Sequence, residues 1–346
     1  MSRDRLAGPM SVLLVRLLAL GDVLLTLPVA EALAGSPGVA FVDILTGSEF
    51  ADDARRCPAV RHVFSYDERT GTIDPGALET TYDLIADLHA RGVPLSAGAE
   101  HQLARLRGRE RTGFASPHAP ADGHHLLPTR DSAEHAVEYY ARAVSSLLDG
   151  PAGDGRIVIG SAARRSAAAR MPADPVCLAP GARYPWKRWP PASYARLADR
   201  LAAHGMGPVL IGHPFDEPHV RAVAAHCPPG VPSLVADTGE LAAAMAASGL
   251  VVANNSGLAA LASAAGARVV CLHSHTLPAM WRPWGAGHVN LVGSGTDMPC
   301  GCSGAEPHDL AVPCGKGISV DDVSTAVLGI AGGPGRAAAG STRRNR

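Results

Sequence analysis

Short apolar runs alternate along this chain with longer segments of helical periodicity. Val12–Arg16 (VLLVR) predicts a buried strand, followed by a turn at Leu20–Gly21 and a helix to about Ala34, with Gly35 as its stop and Pro28 as a possible kink. Val39–Leu45 (VAFVDIL) and Tyr82–Leu88 (YDLIADL) read as further strands, Arg111–Phe114 as a short one, and Glu134–Leu148 as a helix. After Gly150 the alternation restarts. Arg156–Ile159 reads as a strand, Ala162–Arg170 as a helix, Val176–Ala179 as a strand, Pro191–His204 as a helix and Gly207–Ile211 as a strand. Helices at Glu217–Ala225, Glu240–Ala247, Gly257–Ala265 and Ser319–Leu328 enclose strands at Leu250–Ala253 and Arg268–Leu272. Strands alternating with helices predict parallel sheets with crossover helices, here in two Rossmann-like halves. The expected division is 11–160 and 161–333, with 334–346 a disordered tail. Ligands of such sheets bind beyond the C-terminal ends of the strands, so a cleft between the halves is the expected site.

Composition narrows the class. A length of 346 residues suits two domains, and 47% hydrophobic with 18% charged residues describes a globular chain able to bury a core. A formal net charge of −1 removes the electrostatic case for nucleic acid or an anionic membrane surface. The start MSRDRLAGPM lacks the layout of a signal peptide, which predicts a cytoplasmic protein with at most peripheral membrane contact. No charge occurs between Glu240 and Arg268, a span long enough for a bilayer. Ser248–Gly249 and Asn254–Gly257 interrupt it, so it reads as helix, strand, turn and helix.

Five stretches carry candidate chemistry. In ALGDVLLTLP, Asp22 is isolated in an apolar run. It is either the N-cap of the helix, whose positive end favours its charged form, or a general base at the mouth of the first strand. In PGARYPWKRWPP, the cations Arg183, Lys187 and Arg188 follow a strand in a proline-stiffened loop. They suit a diphosphate or, alternatively, lie along an exposed surface loop. No Walker A or GxGxxG fingerprint is present. In VANNSGLAALASAAG, Asn255 or Ser256 can cap the next helix, and Gly257 lets a phosphate approach its first N–H groups. In IGHPFDEPHVRA, Asp216 or Glu217 suits a ribose hydroxyl or a helix cap. Finally, Cys300, Cys302, His308 and Cys314 make an alternative zinc set, against redox-active or buried free thiols.

The order of these motifs resembles glycosyltransferase family 9, the ADP-heptose heptosyltransferases. LLVRLLALGDVLLTLP is similar to the family's opening strand, LGD turn and TLP helix; Tyr82–Leu88 to its YDL-x-x-DL strand; Pro180–Pro190 to PG-x-R-x-P-x-KRWP. Asn255–Ser256–Gly257 is similar to its N/D-S/T-G turn, Ser274–Gly285 (SHTLPAMWRPWG) to its GPTDPARWGPYG segment, and the cysteine-bearing tail and final helix also fit. The resemblance covers residues 11–330. It implies a GT-B fold, two Rossmann-like domains with parallel sheets facing across a cleft, and inverting, metal-independent transfer from an ADP-sugar co-substrate with no cofactor. Asp22 would take the proton of the acceptor hydroxyl. Lys187, with Arg183 or Arg188, would neutralise the diphosphate. Asp216 would hold the ribose and Ser256 and Gly257 the phosphates through their backbone N–H groups, with Asn255 near the donor sugar and phosphates. The acceptor is expected to be a cell-envelope glycan or a small secondary metabolite. The chain departs from the family at Asn255, where Asp is usual, at Ala260, where His is frequent, and at 273–277, where His273 and His275 stand in place of the FGPTD pattern. Asn255 and Ala260 imply a different or modified sugar, or reduced activity, and leave a non-catalytic nucleotide-sugar binder as an alternative; the two-domain architecture leaves a nucleotide-sugar epimerase as another.

Overall fold

The computed structural model describes residues 8–89, 95–114, 125–127, 133–274, 276–292 and 317–332. His275, the set Cys300, Cys302, His308 and Cys314, and the tail 334–346 lie outside the described residues. The chain divides into two compact units, Met1–Val158 and Ile159–Arg346.

The first unit runs β1 (Met10–Val15), α1 (Leu20–Ala34), β2 (Val39–Gly47), α2 (Ala51–Arg55), β3 (His62–Asp67), β4 (Thr72–Ile73), α3 (Pro75–Glu79), β5 (Thr81–Asp87), α4 (Ala97–Ala104), β6 (Arg107–Phe114), β7 (His125–Leu127) and α5 (Ala136–Arg142). Its seven-stranded sheet has the order β4-β3-β2-β1-β5-β6-β7. All described pairings are parallel except β3 with β4. β1 is apolar on both faces because helices cover both sides of a parallel sheet, and every residue of it is buried. The chain builds outward from β1 to β4 and then returns to place β5 on the other side of β1, in register Val15 against Asp87. That reversal makes the β1/β5 border the topological switch point, where such sheets bind ligands. The YDL motif fixes the opposite end of β5. Tyr82 donates its hydroxyl to the fully buried Asp43 at 2.7 Å, and Asp83 accepts from the backbone N–H and the hydroxyl of Ser11.

The second unit runs α6 (Ser161–Arg170), β8 (Pro175–Ala179), α7 (Pro191–Ala203), β9 (Gly207–Gly212), α8 (Glu217–Ala224), β10 (Ser233–Val235), α9 (Thr238–Ser248), β11 (Leu250–Asn254), α10 (Gly257–Ala264), β12 (Arg268–His273), α11 (Pro278–Trp281), β13 (Val289–Val292) and α12 (Val320–Ala331). Its six strands are parallel in the order β10-β9-β8-β11-β12-β13, so the switch point lies between β8 and β11. Val252, Val270, Tyr194, Leu197 and Val323 pack one face of this sheet into a single core cluster. The uncharged stretch after Glu240 forms α9, β11 and α10. No helix among the described residues is long and apolar enough to cross a membrane.

Two local expectations change. Arg156–Ile159 is not a strand: Val158 N–H donates to Arg56 C=O and Gly155 N–H to the Glu31 carboxylate, so this segment is bound along the first unit rather than into a sheet. The helix expected over 134–148 is α5 plus a separate 3-10 turn at Ser145–Leu147. α1 runs on through Pro28, whose carbonyl accepts from Gly153 N–H at 2.9 Å.

Candidate active site

The N-cap reading of Asp22 is overturned. Ala19 occupies the cap position of α1 with no side-chain cap bond, and Asp22 lies one turn in, in the first turn of the helix. Its carboxylate is directed elsewhere. Oδ1 receives a charged hydrogen bond from Arg16 at 2.7 Å and the hydroxyl of Tyr140, 118 residues away on α5, also at 2.7 Å. Arg16 follows directly from β1 and is 5% exposed. A second nitrogen of its guanidinium donates to Leu88 C=O, and the group lies over the Tyr140 ring. Burial opposes the charge of Arg16, but Asp22, Tyr140 and Asp87 outweigh it, so its pKa rises above the ordinary arginine value.

Asp87 and His89 complete this end of β5. Leu17 N–H donates to His89 Nε2 at 3.0 Å, which leaves Nδ1 to carry the proton and donate to Asp87. Burial works to raise the Asp87 pKa, but His89 and then Arg16 prevail and hold it below the usual carboxylate range. On the neighbouring β6, Arg111 feels the same carboxylate. The β1/β5 switch point thus gathers Asp22, Arg16, Tyr140, Asp87 and His89. Of these the sequence had pointed only to Asp22, because its ties to the others span the fold rather than a turn. The D-x-H spacing immediately after a central strand was the one local signal.

The second switch point is built from amides. Asn254, fully buried at the end of β11, donates to Pro180 C=O at 2.8 Å and to Gly181 C=O at 3.4 Å, and accepts Trp189 N–H at 2.9 Å. One side chain therefore ties both ends of the loop after β8 to the strand beside it. Trp189 is anchored further by donating Nε1–H to Ile318 C=O. Arg188 staples the loop from within, donating to Ala182 C=O at 2.8 Å and Arg183 C=O at 3.3 Å. Burial lowers its pKa and Asp216 opposes that. Arg183 is exposed, and Tyr184 stacks on Trp186 with ring centroids 4.6 Å apart. Lys187 Nζ lies 5.8 Å from the Tyr184 ring centroid, and its charge reaches both Cys271 and His273 at the end of β12.

Asn255 is a donor here. Its amide gives hydrogen bonds to His273 Nδ1 at 3.0 Å and Trp281 C=O at 2.8 Å. His273 is fully buried and reaches Asn290 through Nε2 at 3.0 Å. Burial pushes its pKa down to about 4 against the opposing Asn290 bond, with Lys187 lowering it further, so it is neutral at physiological pH. This explains the coupled presence of Asn255 and His273: a neutral imidazole acceptor and a carbonyl both need an amide N–H, which a carboxylate lacks. Ser256 sits at the cap position of α10 but makes no cap bond, and its hydroxyl is buried without a partner. The first N–H groups of α10 are left without a side-chain acceptor, as anion-binding helix starts are.

Asp216 ends a 3-10 turn after β9. It accepts from His213 N–H at 3.3 Å, and burial raises its pKa despite that bond and nearby His219, His213 and Arg188. A Cβ placed on Gly181 would fall 2.2 Å from its Cγ, so only glycine lets the loop after β8 pass this close. The structure thus brings Arg183, Lys187, Arg188, Asp216, Asn255, Ser256 and Gly257 to the strand ends of the second unit, and Asp22 to those of the first. Among the described residues, no group of three or more His, Cys, Asp or Glu is arranged to hold a metal ion.

The profile of glycosyltransferase family 9 (heptosyltransferase) matches residues 101–303. Lipopolysaccharide heptosyltransferase 1 of Pseudomonas aeruginosa is 27% identical over 312 residues, covering 84% of this chain and 85% of its own length. A glycosyltransferase family 9 structure from Veillonella parvula superposes with a TM-score of 0.75 at 20% identity, covering 94% of this chain and 98% of the other. The ADP-heptose lipopolysaccharide heptosyltransferase II of Escherichia coli does so with a TM-score of 0.69 at 19% identity, covering 93% and 98%. The two parallel-sheet units are those of the GT-B class, and the chain belongs to glycosyltransferase family 9, the heptosyltransferases.

Proposed function

We propose that this enzyme moves a sugar, most simply a heptose, from an ADP-sugar to an acceptor hydroxyl, with inversion at the anomeric carbon and without a metal ion. The observation that carries this reading is the Asp22 carboxylate, held at the β1/β5 switch point with one oxygen bonded and the other without a partner among the described residues. In the proposed reaction the first unit holds the acceptor, and Asp22 takes its proton as the acceptor oxygen bonds to the anomeric carbon. The bond from that carbon to the phosphate oxygen breaks, and its electron pair leaves with ADP. The second unit holds the donor. Lys187 and Arg183 offset the charge growing on the diphosphate, the role a metal ion would otherwise fill. The N–H groups beginning α10, at Ser256 and Gly257, receive phosphate oxygens, and Asp216 receives the ribose. Arg188 acts by holding the loop in shape. Membership of a transferase family sets aside the epimerase and the non-catalytic binder.

ADP-heptose as a substrate is supported by relatives: solved structures of an E. coli heptosyltransferase, WaaC, contain ADP and ADP-2-deoxy-2-fluoro heptose. The acceptor we expect is a cell-envelope glycan or a small secondary metabolite, modified in the cytoplasm. The test is a donor screen by melting temperature with ADP-, GDP- and UDP-sugars, followed by ADP release with candidate acceptors. A ligand at about 100 times its dissociation constant adds about 2.7 kcal/mol to stability. A response to UDP-sugars alone would sink the ADP-heptose reading.

A further inference from the structure

We propose that Arg16 and Tyr140 are positioning residues for Asp22, jointly engaging Oδ1 so that Oδ2 alone is presented to the acceptor hydroxyl. This inference rests on the reading of Asp22 as the base. Both donors reach the same oxygen at 2.7 Å, and no partner of Oδ2 is present among the described residues. A carboxylate oxygen has two lone-pair sites, so Oδ1 is filled and rotation about the terminal bond would break both contacts. The side chain of Asp22 remains 19% exposed, which leaves Oδ2 room for a substrate proton.

The two donors are themselves fixed from separate elements. Arg16 is tied to Leu88 C=O at the end of β5. Tyr140 is fully buried on α5, whose preceding residue Tyr139 stacks on Phe114 of β6 with centroids 3.6 Å apart. α5 begins with a capping box between His135 and Glu138. The charged groups around Asp22 are Arg16 from the β1–α1 turn and, through Arg16, Asp87 from β5; His89 and Arg111 in turn face Asp87. When Oδ2 takes the acceptor proton, Asp22 becomes neutral, the electron pair of the acceptor O–H forms the new bond to the sugar, and Arg16 keeps its attraction to Asp87.

The discriminating variant is Tyr140→Phe, which removes one hydroxyl from a buried ring and leaves the packing in place. The assay is ADP release from ADP-heptose, with water as a common acceptor and with any acceptor that gives turnover in the wild type. Donor affinity is followed by the ADP-induced melting shift. We expect kcat to fall about tenfold with donor KM and the ADP shift unchanged. A tyrosine that served structure alone would lower the melting temperature without this selective loss of kcat. Arg16→Lys, which keeps the charge but loses the fork, should fall between Tyr140→Phe and Asp22→Asn. If Tyr140→Phe keeps kcat within twofold while Asp22→Asn is inactive, the positioning role is wrong and the base assignment stands. Full turnover in Asp22→Asn overturns both.

Discussion

The two switch points occupy equivalent places in similar sheets and are built from opposite chemistry. At β1/β5, two carboxylates, Asp22 and Asp87, are locked by an arginine, a tyrosine and a histidine. At β8/β11, two amides, Asn254 and Asn255, organise a cationic loop and a histidine kept neutral by burial. On the function proposed above, the first arrangement is the one that accepts a proton. The second has no carboxylate on its central strand and, on the same proposal, receives an anion at the start of α10 and at Lys187. One architecture would then perform two tasks because its strand ends are decorated differently, as expected where function lives in sites placed on a fold.

The sharpest way to break this comparison is to exchange the two losses. Asp22→Asn should lower turnover by ~10²–10⁴ while leaving the ADP-induced melting shift intact. Lys187→Met should lower kcat/KM by ~10²–10³ and also reduce that shift. If both variants lost ADP binding equally, the division between a proton-accepting and an anion-binding unit would be wrong.

The next effect is a pH dependence belonging to the second unit. His273 has its pKa lowered from 6.5 to about 4 in the folded state, chiefly by burial. Between these values the unfolded chain binds more protons than the native one, so stability is full above about pH 6.5 and falls as the pH drops toward 4. The loss amounts to about 3 kcal/mol. Urea unfolding of the wild type and His273→Phe over this range measures it; an equal slope in both would show that His273 is not its source.

Smaller effects separate structural amides from ligand-facing groups. Asn254→Ala should cost about 2 kcal/mol, because it leaves Trp189 N–H and Pro180 C=O without their buried partner. The urea midpoint should fall with an unchanged m-value. Ser256→Ala should change stability by less than about 0.5 kcal/mol, since its hydroxyl makes no cap bond, whereas the working caps Asp237 and Ser319 should each cost about 1 kcal/mol on replacement by alanine. A loss at Ser256 as large as at Asp237 would mean that α10 is capped and closed to phosphate.

Much of the fold was legible because parallel strands buried on both faces are written as unbroken apolar runs. VLLVR, VAFVDIL, LVVAN and RVVCLH could hardly be anything else. The edges were not legible. β3, β4, β10 and β13 were missed because they are short or only partly buried, so their polar residues hide the period. The false strand at 156–159 has the opposite origin: Ile157 and Ile159 are buried, but outside any strand ladder. In the candidate site, the stretches PGARYPWKRWP and NNSG were readable as loops at strand ends because their residues are consecutive.

The sequence by itself determined the class of the protein: alternating apolar periods dictate two parallel α/β units, and ordered motifs mark the strand ends that carry chemistry. Only the tertiary structure decided which partners those residues have. Of the two readings of Asp22, the cap gave way because Arg16 and Tyr140 reach its carboxylate from the end of β1 and from α5. Arg188 was shown to brace its own loop by donating to two of its carbonyls, and Asn255 became intelligible beside His273. Periodicity is a property of neighbours along the chain and survives in one dimension. Hydrogen-bond partners and burial, which set charge and orientation, exist only after distant segments have packed.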